Sequence, residues 1–260
     1  MNISSYSREE LTRGLERAKS NRQSVNGKNR AGDAVRVMFS PRSITSENID
    51  EVYELYSHIE EGQYDTVVVV ESHPGSAEKK LPMPSFKSVT TPLGEIMAND
   101  RLRNDFCDED DDFFINDEAF DTSVCLYDQL MMLQCALKNF TVVSIQITDE
   151  NPYIVKELAY ALEEILASKN ALVVFCCDLD DSHREEFEKV MKFYENRNYS
   201  GMMNYLAAAD SSMKGAGTFM AGLLVSSKWG LSLNFNHRVN SDTHNLLIGF
   251  AEMQHQPIFG

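Results

Sequence analysis

Apolar and polar positions along this chain follow two periods. Residues 34–40 (AVRVMFS) read as a buried strand stopped by Pro41. Residues 46–61 then place Ile49, Val52, Leu55, Tyr56 and Ile59 on one face at helical spacing. Residues 66–70 (TVVVV) are an unbroken β-branched run, as in a parallel strand covered on both faces. Residues 125–137 predict a helix, 140–147 a strand, and 153–169 a helix entered through Asn151 and Pro152. Another buried strand follows at 171–177, then helices over 182–197 and within 201–229, then a closing strand at 246–253. Strands alternating with helices predict one α/β domain over residues 32–260, with a mainly parallel sheet and helices on both faces.

Residues 1–31 are polar. Ser7 with Glu10 three positions on forms a capping-box pattern, which predicts a short helix over residues 8–19 and a flexible approach to the domain after it. In open parallel sheets ligands sit beyond the carboxyl ends of the strands. That directs attention to Ser40-Pro41-Arg42, to Glu71-Ser72-His73, to residues 176–181, and to the turn Lys214-Gly215-Ala216-Gly217.

Charge changes the picture next. The 260 residues carry 24 Lys or Arg and 40 Asp or Glu, a net of −16. Such a balance excludes general nucleic-acid binding, which needs a basic face to displace counterions, and an anionic membrane surface. The acidity is uneven: residues 1–42 sum to +5 and the remainder to −21, with eight acids in the fourteen positions from Asp108 to Asp121. That acidic run lacks calcium-loop spacing and reads as a solvated loop. No apolar run reaches membrane-spanning length, and the first residues lack a signal-peptide core, so the expected location is the cytoplasm. Five cysteines form neither a CxxC motif nor an even framework, and Cys176-Cys177 ends a buried strand, so inert reduced thiols are expected.

The residues that carry chemistry are few. His73 follows the valine strand where an imidazole can face a cleft. Residues 177–183 (CDLDDSH) offer three carboxylates and His183 after a strand; Asp181 or Ser182 suits the cap of the next helix, while Asp178 suits a cap or a functional role equally. Gly215-Ala216-Gly217 is not a dinucleotide fingerprint, and no phosphate loop, HExxH or GxSxG motif is present.

The order of several segments resembles the Memo-like family, also called AmmeMemoRadiSam system protein B, whose fold is similar to LigB-type extradiol dioxygenases. Thr91-Pro92-Leu93-Gly94-Glu95 with Asn99-Asp100-Arg101-Leu102 resembles the family's W-x-TPLG-x-V-x-V-D segment, with one extra residue before Asp100. Asp128-Gln129-Leu130 through Leu133-Gln134, then residues 139–145, resemble its E-x-Q-L-P-F-L-Q helix and following strand. Residues 171–178 resemble its LIVASSD strand, Lys214 to Gly217 its CGxG turn, and Gly249-Phe250-Ala251 its GYA strand. The resemblance covers residues 34–253.

The same resemblance implies a metal pocket built from the histidines of PHAG and PSHH motifs and the cysteine of CGxG. Here Arg42 stands at the first position, His73 is kept at the second, and Lys214 stands at the third. The EHSIE segment becomes Ser123-Val124-Cys125-Leu126-Tyr127, and of SSDFSH only Asp178 is kept, with Asp181 at the histidine position. Neither Arg nor protonated Lys offers a metal a lone pair. The leading expectation is therefore a divergent, non-catalytic member without a cofactor, in which Arg42, His73 and Lys214 meet Asp178 and Asp181, a small anion or a protein partner. One alternative is an enzyme holding iron or another divalent transition metal through His73, Asp178 and His183. Another is an interaction-only domain with its cleft filled by ion pairs. A radical SAM protein and an AMMECR-type domain are the partners that family analogy implies.

Overall fold

Each long apolar run becomes a strand or a helix face in the structure, a computed structural model describing residues 1–26, 34–73, 81–120, 124–208, 211–235 and 248–253. The first half contains α1 (Arg8–Asn26), β1 (Val35–Ser40), α2 (Ile49–Tyr56), β2 (Thr66–Ser72), β3 (Leu81–Met83), β4 (Ser88–Thr91), β5 (Gly94–Met97), α3 (Asp100–Glu109) and β6 (Phe113–Ile115). The second contains α4 (Leu126–Ala136), β7 (Thr141–Ile147), α5 (Pro152–Leu166), β8 (Ala171–Cys176), α6 (Arg184–Glu195), α7 (Tyr199–Ala207), α8 (Ala216–Lys228), β9 (Leu231–Phe235) and β10 (Gly249–Met253).

The main sheet has six strands in the order β7-β2-β8-β1-β10-β9. The first four run parallel, while β10 lies antiparallel to β1, and β9 antiparallel to β10. All seven residues of β2 are buried, and its side chains divide between two cores. Val68 and Val70 pack with Phe39, Phe175 and residues of α5 and α8 on one face; Val67 and Val69 pack with Met38, Val174 and residues of α2 and α4 on the other. Burying each such valine contributes about 1.5–3 kcal/mol, which is why a run of four makes a central strand. The fold is α/β, with a mainly parallel sheet between helical layers. Among the described residues no helix is long and apolar enough to cross a membrane.

Several elements differ from the sequence expectation. The Ser7–Glu10 capping box forms in both directions, at 2.8 and 3.3 Å, but the helix it opens continues to Asn26. Its Leu11 and Leu15, with Ile3 before it, are fully enclosed in the core under α4, so the first part of the polar segment packs as part of the domain. The acidic run holds the end of α3 and the three-residue β6, which pairs with β3. Residues 88–97 fold as the β4–β5 hairpin. The helix expected after residue 182 begins at Arg184 with His183 as its N-cap residue, because the short turn Asp181–His183 intervenes; Asp180 accepts the Ser182 N–H at 2.8 Å instead.

Candidate functional site

The four parallel strands release their chains at one edge, and backbone hydrogen bonds weld the departing segments together. The Cys177 N–H donates to the Ser40 carbonyl at 2.9 Å, and the His73 N–H to the Ile147 carbonyl at 2.9 Å. The Arg42 N–H donates to Asp178 Oδ1 at 3.0 Å, and the Asp178 N–H to the Lys214 carbonyl at 2.9 Å. Asp178 therefore clamps the Arg42 segment to the turn that opens α8. That turn depends on Gly215, whose φ is +84° and where a Cβ would stand 3.0 Å from the Cys176 carbonyl oxygen. Any other residue would meet both the left-handed penalty and the end of β8.

The start of α8 also reaches the far side of the sheet edge. The Gly217 N–H donates to Glu150 Oε1 at 3.1 Å, and Glu150 follows β7. Since β2 lies between β8 and β7, the start of α8 is held to the segments that leave the strands on either side of β2.

Beneath this edge, on the α4 side, lies Glu71, with no exposed surface. Its Oε2 accepts the Cys125 N–H at the start of α4 at 2.8 Å, and its Oε1 accepts from Gln146 Nε2 at 3.4 Å. Burial pushes the Glu71 carboxyl above its ordinary range, against the opposing pull of the Cys125 N–H and thiol, the Arg42 guanidinium and His73. Gln129, fully buried, holds the neighbouring β1 end: its Oε1 accepts from Ser40 Oγ at 2.8 Å and Tyr56 Oη at 2.5 Å, and its Nε2 donates to the Pro41 carbonyl at 2.9 Å. Asp128 Oδ2 accepts the Ile44 N–H at 2.9 Å, so the segment carrying Arg42 is fixed on both sides.

Against that ordered frame several buried polar atoms have no hydrogen-bond partner: Arg42 Nε, Ser72 Oγ, Gln146 Oε1 and Thr218 Oγ1. Ser72 and Gln146 end neighbouring strands, and Thr218 stands in the first turn of α8. A buried polar atom left without a partner costs roughly 1–3 kcal/mol, so such a group asks for an explanation. Among the described residues no carboxylate makes an ion pair with Arg42.

The sequence-predicted residues separate accordingly. Arg42, His73 and Asp178 share the strand-end edge with the backbone of Lys214, whose side chain is exposed. His183 turns toward Asp180, with Nδ1 3.0 Å from Asp180 Oδ1, rather than joining Asp178. The side chain of Asp181 lies outside the described residues. Cys125, Cys176 and Cys177 are buried with their thiols pushed up by burial, which keeps them protonated. Among the described residues no three His, Cys, Asp or Glu side chains gather as a metal-ligand group. Glu71 received no role from the sequence, although an acid continuing a four-valine strand was a visible anomaly. Nothing in the sequence marked Glu150 or Thr218.

The bacterial MEMO1 family protein of Thermotoga neapolitana is 27% identical over 139 residues, which is 49% of this chain; the match spans 48% of that relative's length. The crystal structure of an uncharacterized protein, JW3007 from Escherichia coli K12, superposes with a TM-score of 0.52 at 10% identity, covering 83% of this chain and 99% of that one, and so shares the fold. The family model described as Memo-like protein matches residues 7–247, and the chain belongs to that family.

Proposed function

We propose that this Memo-like protein binds a small oxyanion at the carboxyl edge of its sheet, without a metal and without catalysis. The observation that carries this reading is Arg42: a permanent cation at the strand-end edge whose buried Nε lacks a hydrogen-bond partner. The local charge supports it. Lys214, exposed on the turn that opens α8, adds a second cation to the segment that Asp178 ties to Arg42. An anion held by a guanidinium gains charge-assisted, two-pronged hydrogen bonds.

The donor chemistry does not fit a transition-metal ion. Arg42 and Lys214 have no lone pair to give, His73 alone remains of the set implied by the resemblance, and Asp178 Oδ1 is engaged by the Arg42 N–H. Isothermal titration with inorganic phosphate tests the reading, alongside the metal content of the purified chain. Phosphate binding that weakens about tenfold in Arg42→Ala is expected, from the loss of about 1.4 kcal/mol of charge-assisted bonding. One tightly held transition-metal ion per chain, or phosphate binding indifferent to Arg42, overturns it.

A further inference from the structure

We infer that Glu150 is an internal ligand of this same site, an intramolecular carboxylate that an incoming anion has to displace from the start of α8. This rests on the anion-binding reading and adds the second anchor of the ligand. Two helix starts, one on each face of the sheet, each have an N–H bonded to a carboxyl group of the chain itself. At α4 that group is Glu71, fully buried and hydrogen-bonded to the Cys125 N–H. At α8 it is Glu150, only half-buried, on the loop after β7. The first is part of the core; the second is partly open to solvent.

The fit of Glu150 to the helix depends on a missing side chain. A Cβ on Gly217 would lie 3.1 Å from Glu150 Cγ and 3.2 Å from its Oε1, so glycine leaves room there for an acidic group. Helix N-termini favour anions through their free N–H groups and dipole. Independently of the helix end, the site shows unmet demand: Thr218, fully buried in the same first turn, has its Oγ1 without a partner, and Ser72, 2% exposed at the end of β2 below, has its Oγ without one. Glu150 satisfies the Gly217 N–H and neither hydroxyl. A tetrahedral oxyanion has enough oxygens to take the N–H, the Thr218 hydroxyl and the Arg42 guanidinium together, which one carboxylate on a short tether does not. Glu150 and the ligand carry like charge, so the two exclude each other.

The test is phosphate titration of the full chain with three variants. Glu150→Ala is expected to tighten phosphate binding about tenfold, by removing a competitor and a like charge worth near 1.4 kcal/mol, and Glu150→Gln to tighten it less, since the amide oxygen still accepts the Gly217 N–H. Thr218→Val placed on Glu150→Ala is expected to reverse most of that gain. In the unmodified chain, the Gly217 amide resonance is expected to shift with phosphate at the same saturation curve as the heat signal, a readout that needs no variant to fold. Arg42-dependent phosphate binding that is unchanged or weakened in Glu150→Ala, with a still Gly217 amide, overturns the inference and leaves the anion site standing. No Arg42-dependent binding in either the unmodified chain or Glu150→Ala overturns both.

Discussion

The two ends of the parallel sheet are built from the same kinds of residue and reach opposite outcomes. At the amino end the hydroxyls of Thr66 and Thr141 lie 3.0 Å apart, and Asn99 Nδ2 donates to them at 2.8 and 3.1 Å. Asn99 also accepts the Leu102 N–H at 3.0 Å as the cap of α3, and its own N–H donates to Val142. The hydrogen bonds close on one another. An open groove of about 610 Å³ lies beside this end, lined by Arg8, Glu95, Gln134 and Lys138, yet none of its described lining residues holds a buried polar atom without a partner. At the carboxyl end Arg42, Ser72, Gln146 and Thr218 each keep one such atom; near Asn99 the atoms in that state are Ser144 Oγ and Arg103 Nε, the latter on a guanidinium whose other nitrogens bind the Pro84 and Phe86 carbonyls and Asp100. The difference teaches that a hollow and unmet hydrogen-bonding capacity are separate properties, and that the proposed anion site rests on the second.

That contrast can be broken, and the largest effect is expected at the amino end. Asn99→Ala removes a helix cap and two side-chain hydrogen bonds, and should lower the unfolding free energy by about 2–4 kcal/mol in urea titration while leaving phosphate affinity alone. Lost phosphate binding at unchanged stability would erase the distinction between the two ends. At the carboxyl end the pattern inverts: Arg42→Ala should hold stability within about 0.5 kcal/mol of the parent chain while phosphate binding falls.

A pH experiment sharpens the role of Glu71. Its folded carboxyl titrates above the ordinary value of 4.5. Below 4.5 both folded and unfolded chains hold the proton and the group is neutral to stability; as pH rises past that point the unfolded chain releases its proton first, so stability falls until the folded group ionises too. Glu71→Gln, which keeps an acceptor for the Cys125 N–H, should flatten this part of the stability profile, and an unchanged slope would show that burial at Glu71 carries no linkage. The smallest effect belongs to Ser72→Ala. Removing a hydroxyl that has no partner should leave the unfolding free energy unchanged or raise it by up to about 1 kcal/mol, and a clear loss of stability in thermal melts would mean that this hydroxyl is structural.

Much of the sheet was legible because its signals are local. Val67 to Val70 announce a strand without reference to the rest of the chain, and Asn151-Pro152 announce α5, whose Asn151 Oδ1 accepts the Tyr153 and Ile154 N–H groups. The elements that escaped have weak local patterns. In α3 only Leu102 and Phe106 are buried, within a segment in which six of ten residues are charged. In β3 the three residues include Pro82, which argues against a strand except at an edge. Strand-end positions were legible in the same way: Arg42, His73 and Asp178 can be placed just past a strand from the strand itself. His183, chosen for its spacing from Asp178, instead pairs with Asp180, because a tight turn between them brings the imidazole back on its own loop.

The sequence by itself determined the class of fold, the central strands and the capping box at Ser7. Each of these follows from near neighbours or from the residue type at one position. Only the tertiary structure decided that Glu71, from the middle of the sheet, comes within electrostatic reach of Arg42, that Glu150 reaches the Gly217 N–H 67 residues away, and that Thr218 Oγ1 is enclosed without a hydrogen-bond partner. Those facts depend on which strands lie side by side and on how a helix start is seated over them. They arise from long-range packing, which no period along the chain encodes.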